Sequence, residues 1–108
     1  MSADPRPYLN TNAKGARLER RTRDRLELVQ YQVTRAGGSL GAWDLIAIGA
    51  LDVLLVQVKA NIWPGPLERE KMERFPQPPC VQKQIWRWDD RVREPRIKVL
   101  TPDGWVEM

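Results

Sequence analysis

Two apolar runs separated by a short polar break limit what this chain can fold into. Leu45-Ile46-Ala47-Ile48 and Val53-Leu54-Leu55-Val56 flank the segment Gly49 to Asp52, and the second run continues into Gln57-Val58-Lys59. Short aliphatic runs bounded by glycine read as strands joined by a tight connection. Side chains alternate along a strand, so Gln57 and Lys59 share one face while Leu54, Val56 and Val58 share the other. Asp44 opens the first run, and a hairpin through Gly49 to Asp52 brings it close to Gln57 and Lys59. A carboxylate, a second oxygen donor and an ammonium then converge at the end of a buried sheet. Such a set can hold Mg²⁺ and activate water against a phosphodiester.

Composition narrows the chemistry further. The chain has 108 residues, enough for one domain with a single core. It has no histidine, which excludes an imidazole base and imidazole metal ligands. Cys80 is alone, so an internal disulfide and a cysteine-rich zinc site are excluded, and one free thiol fits a reducing interior. Few other activated nucleophiles are on offer, so hydrolysis by such a chain would need a metal-activated water. The N-terminus lacks an apolar signal region, and the stretch Leu45 to Val58 is interrupted and too short to span a membrane. A soluble, cytoplasmic protein is expected, in the host cytoplasm if the chain is viral.

Lysine and arginine number 18 against 14 acidic residues, a net charge of +4 that favours a polyanionic partner. Much of the excess is local. Lys14, Arg17, Arg20, Arg21, Arg23 and Arg25 lie in one stretch with only Glu19, Asp24 and Glu27 to offset them. The run is either a phosphate-binding face or a solvated helix face with i,i+4 ion pairs.

Residues 1–12 carry Pro5, Pro7, Asn10 and Asn12 and read as a flexible, extended arm. A helix follows from Ala13 to Val29, with Leu18, Thr22, Leu26 and Val29 as its buried stripe. Strands are expected at Tyr31–Arg35, Trp43–Ile48 and Val53–Lys59. Pro66 opens a second helix over Leu67–Phe75, with Met72 and Phe75 inward and Arg69, Lys71 and Arg74 free to meet phosphates. Strands then follow at Val81–Trp88, Arg96–Leu100 and Trp105–Glu107. Residues 13–108 form one α/β domain: a mixed central sheet flanked by helices. Trp86 and Trp88 share one strand face and suit core or interface packing better than base stacking. Trp63 is read either as core or as a wedge near DNA.

Glu19 lies about 20° round the helix from Leu26, beside the buried stripe. A carboxylate there needs a partner, either Arg20 or Arg23 in an ion pair or a metal. Taken together, Gly15-x-x-x-Glu19-Arg20, Arg35, Gly38-Ser39, Asp44 and Gln57-x-Lys59 resemble the restriction-endonuclease-like PD-(D/E)xK nuclease fold. Their order and intervals, from Lys14 to Lys59, are most similar to those of the archaeal-type Holliday junction resolvases.

The resemblance implies a homodimeric endonuclease of DNA recombination and repair, dependent on Mg²⁺ with Mn²⁺ as a substitute, acting on four-way DNA junctions. It implies Glu19, Asp44, Gln57 and the Val58 carbonyl as metal ligands. Lys59 would orient the attacking water or stabilise charge on the phosphate, with Ser39 near the scissile phosphate. Arg20 and Arg35 would grip the DNA backbone, and the basic run adds Lys14 and Arg17. Gln57 departs from the family, which usually has glutamate there, and this removes one negative charge from the site. Two alternatives stay open: another nuclease of this fold, such as a nickase or duplex endonuclease, or a non-cleaving DNA-binding module with a decayed site.

Overall fold

In the computed structural model, which describes residues 7–37 and 41–108, α1 (Pro7–Leu28) leads into β1 (Gln32–Arg35), β2 (Leu45–Ile48) and β3 (Val53–Ala60). Then come α2 (Pro66–Arg74), β4 (Val81–Trp88), β5 (Arg96–Thr101) and β6 (Gly104–Glu107). The strands form one mixed sheet in their chain order. All neighbours pair antiparallel except β3 and β4. A parallel pair needs a crossover, and α2 supplies it.

The expected hairpin is present, with Leu45 opposite Val56 and Ile48 opposite Val53. Its turn closes with the Gly49 N–H donating to the Asp52 carbonyl at 2.8 Å. A Cβ at Gly49 would lie 2.6 Å from a ring carbon of Tyr31, so the close approach of that ring requires glycine. The Tyr31 hydroxyl in turn donates to Asp52 Oδ1 at 2.8 Å.

Strand alternation divides the core in two. Leu45, Ala47, Leu54, Val56, Trp86 and Trp88 pack on one sheet face against Leu18 and Leu26 of α1. Leu55 and Ile85 pack on the other face with Trp43 and Met72 of α2. Both indoles of β4 are therefore core. Trp88 Nε1 donates to Thr22 Oγ1 and Trp86 Nε1 to Gln84 Oε1, each at 2.8 Å, so neither ring is available to stack on bases.

The first helix differs from the sequence expectation at both ends. It begins at Pro7, so residues 7–12 are helical rather than an extended arm. Proline suits a first helical position, where its missing N–H costs no bond. Residues 1–6 lie outside the described residues. At the other end, Val29 falls beyond the helix and is 63% exposed, so it is no part of the buried stripe. Gln30 takes a φ of 76°, and the N–H groups of Gln30 and Tyr31 donate to the carbonyls of Glu27 and Leu26 at 3.1 Å. These two bonds make a Schellman stop, which ends the helix before a further turn can bring Val29 inward.

Lys83 is fully buried on the α2 side of β4. Its ammonium donates to the carbonyls of Glu73, in the last turn of α2, and Phe75, its C-cap, where a cation also meets the negative end of the helix dipole. No helix among the described residues is long and apolar enough to cross a membrane.

Leu26 is 3% exposed and anchors α1 to the sheet. Leu26→Ala is expected to cost about 2–5 kcal/mol in urea unfolding, the usual range for a buried leucine that leaves a cavity. A loss below about 1 kcal/mol would mean that α1 docks without this contact.

Candidate active site

Asp44 stands just before β2, and its backbone N–H donates to the Val56 carbonyl at 2.9 Å. This continues the ladder past the Leu45–Val56 pair and sets Asp44 opposite Gln57 on the α2 side of the sheet. Asp44 Oδ2 accepts the Val58 N–H at 2.8 Å, so the carboxylate is held by the backbone of the strand that carries the other site residues.

Gln57 is 4% exposed. Its Nε2 donates to the Ala42 carbonyl at 3.1 Å and to Glu68 Oε2 at 3.2 Å. Two acceptors on the nitrogen fix the orientation of the amide. Oε1 is left buried with no hydrogen-bond partner among the described residues. An unpaired buried acceptor costs about 1–3 kcal/mol, which a cation ligated there would offset. Lys59, two residues on and on the same face, donates from Nζ to Glu68 Oε1 at 3.3 Å.

Glu19, on α1, is near enough to Asp44 for their charges to interact, and it pairs with Arg35 at the end of β1, 3.4 Å away, rather than with Arg20 or Arg23. Burial raises its carboxyl above the ordinary range; the Asp44 charge adds to the rise and Arg35 opposes it. Asp44 is also raised, again chiefly by burial. The Val58 N–H, Lys59 and Arg35 pull it down while Glu68 pushes it up. For both carboxylates burial outweighs the cations beside them.

Among the described residues, no three acidic, cysteine or histidine side chains are gathered tightly enough to hold a metal ion by themselves. The donors on offer are mixed: the Asp44 carboxylate, the orphaned Gln57 Oε1 and, at the rim, Glu19. All are oxygens, which suits a hard cation such as Mg²⁺. The orphaned amide oxygen is the feature that fits a metal.

The structure therefore brings Asp44, Gln57 and Lys59 together, with Glu19 beside them. Ser39 and Gly38 lie outside the described residues. Arg20 and Arg35 line one hollow with Glu19 and Leu45. Lys14 and Arg17 line a different one, with Trp88 and the Asp89 to Arg93 connection, and Lys14 pairs there with Asp90 at 3.0 Å. The remaining arginines of the basic run have structural partners. Arg21 sits 4.3 Å over the Trp88 ring, Arg23 pairs with Glu27, and Arg25 pairs with Glu94. Trp63 is covered by Arg87, Arg96 and Lys98, each within 5.5 Å of its ring centre.

Glu68 escapes sequence reasoning altogether. An acidic residue in a first helical turn reads as a local partner of the helix dipole, and nothing in its neighbours signals that α2 will lay it across Gln57 and Lys59.

No family model matches the sequence, and no curated protein matches it. Among solved structures, the chain is similar to Archaeoglobus fulgidus Hjc, a Holliday junction resolvase from an archaeal hyperthermophile. The TM-score is 0.66 and the identity 15%, with 86% of each chain covered. At that identity the likeness is one of fold. The six-stranded mixed sheet with its two helices is the restriction-endonuclease-like fold, shared with an archaeal Holliday junction resolvase.

Proposed function

We propose that this protein is a metal-dependent, structure-selective endodeoxyribonuclease that resolves four-way DNA junctions as a symmetric homodimer. The observation that carries the reading is the juxtaposition of Asp44, the unpartnered Gln57 Oε1 and Lys59 at one end of the β2–β3 hairpin. The fold shared with a junction resolvase supports it. Two matched cuts across a junction call for two matched sites, which a two-fold dimer provides. The protein would act where branched DNA arises, in the cytoplasm or that of a host.

Asp44, Gln57 Oε1, Glu19 and the Val58 carbonyl would hold Mg²⁺ or Mn²⁺. When bound, the ion supplies a water of lowered pKa and stabilises charge on the phosphate. Lys59 brings its ammonium to the same face as Gln57, where it can donate to a phosphate oxygen or orient the attacking water. Its ion pair with Glu68 keeps it there before DNA arrives. Arg35 is 73% exposed even while paired to Glu19, so its guanidinium can meet the DNA backbone at the mouth of the site. Arg20 borders the same hollow. Contacts of this kind read phosphate positions and branch shape, not bases.

The test is cleavage of a synthetic four-way junction beside a linear duplex of matched sequence, with and without Mg²⁺. Paired cuts confined to the junction and requiring the ion support the proposal. Equal cutting of the duplex points to another nuclease of this fold, and junction binding without cutting points to a DNA-binding module. Arg20→Ala and Arg35→Ala are expected to weaken junction binding and to lower the slope of log affinity against log salt by about 0.9 for each phosphate no longer neutralised. An unchanged slope in both variants would remove these arginines from the DNA interface.

A further inference from the structure

We propose that Glu68 is the positioning residue that allows a glutamine to serve as an oxygen ligand in this site, an inference that rests on the metal-dependent nuclease reading above. Glu68 lies in the first turn of α2, which opens with Pro66. Its two oxygens divide the work: Oε2 accepts from Gln57 Nε2 at 3.2 Å and Oε1 from Lys59 Nζ at 3.3 Å.

A carboxylate ligand needs no such help, because either of its oxygens can face a cation. An amide has one useful end. Turned the wrong way, it presents two N–H groups to the ion. A glutamine ligand is therefore reliable only where acceptors occupy its nitrogen. The Ala42 carbonyl takes one N–H and Glu68 takes the other, which leaves Oε1 without a partner among the described residues.

The same carboxylate supplies charge. A glutamine at position 57 leaves the site one negative charge short of what a glutamate would give. Glu68 restores that charge at one remove, a hydrogen bond further from the ion. Because it also holds Lys59, a single side chain sets the ligand oxygen and the ammonium relative to each other.

Mn²⁺ binding to the full chain without DNA, measured by titration calorimetry, separates this role from catalysis. Glu68→Gln and Glu68→Ala are each expected to weaken Mn²⁺ binding about 10–100-fold, the usual effect of losing an outer partner of a metal ligand. Glu70→Gln removes the same charge from α2 at a residue that pairs with the exposed Arg74, and is expected to bind as the wild type does. The double variant Gln57→Glu/Glu68→Gln is expected to recover most of the affinity, since a carboxylate at position 57 needs no orienting acceptor.

Wild-type affinity in both Glu68 variants, with affinity lost in Asp44→Asn, overturns the role of Glu68 and leaves the metal site standing. A double variant as weak as Glu68→Gln overturns it too. Wild-type affinity in Asp44→Asn as well removes the metal site itself, and the role of Glu68 with it.

Discussion

Asp44→Asn is expected to lower junction cleavage by about 10³-fold or more, comparable to losing a preorganised electrostatic group from an active site, while junction binding persists. The amide keeps an oxygen for the Val58 N–H, so the strand geometry survives, but it takes away the charge that would hold the proposed ion. Without metal, the same substitution is expected to stabilise the fold at neutral pH. Burial raises the Asp44 carboxyl above its ordinary value of 3.8, so the native state takes up its proton before the unfolded chain does. Wild-type stability therefore falls as pH rises through the folded value. The asparagine variant has no such loss, and its advantage should vanish below pH 3.8, where the carboxyl is protonated in both states. Thermal melts of the two proteins at acid and neutral pH, set beside cleavage assays, check both halves. Near-normal turnover in folded Asp44→Asn would remove the proposed site.

The second large effect is expected at Gln57. Gln57→Ala would take one oxygen from the proposed metal site and leave the Ala42 carbonyl and Glu68 without their donor. The Mg²⁺ concentration for half-maximal cleavage should rise by at least the roughly 10–100-fold that loss of an outer partner of a metal ligand costs. Gln57→Glu adds a charge to the ligand set and should lower that midpoint, but with a condition imposed by the structure. The new carboxylate would face a backbone carbonyl and the Glu68 carboxylate, both within 3.2 Å of the present amide nitrogen. Like charges at that range raise a carboxyl pKa. The gain should therefore show at alkaline pH and shrink as acid competes with the ion. The midpoint is the informative observable, because an ion held more tightly need not turn over faster. Identical Mg²⁺ titrations for all three proteins would place Gln57 outside the coordination shell.

The parts of this site that were legible in the sequence are those built by local rules. Alternation along Val53 to Lys59 separates Gln57 and Lys59 from Leu54, Val56 and Val58, and the glycine-led turn returns the chain to Asp44. Neither inference needs to know what lies above the sheet. The parts that were missed depend on packing between distant segments. Arg35 reaches Glu19 only because β1 pairs with β2 beneath α1, whereas Arg20 and Arg23, nearer in sequence, border the same hollow. Glu68 meets Gln57 because the β3–β4 crossover lays the first turn of α2 over the end of β3. Lys83, within an alternating strand, is buried because its ammonium finds the last carbonyls of α2. In each case a polar residue whose partner lies far along the chain carries no local signal of it.

The proposed site has Asp44 and Gln57 Oε1 sharing a divalent cation. Anomalous diffraction from a crystal of the full chain soaked in Mn²⁺ addresses it directly. A strong peak is expected about 2–2.5 Å from both an Asp44 carboxylate oxygen and Gln57 Oε1, with the Gln57 amide still turned by Ala42 and Glu68. A peak that engages Asp44 while Gln57 Oε1 stays unliganded, or Mn²⁺ bound only elsewhere in an enzyme that cuts junctions, would contradict it.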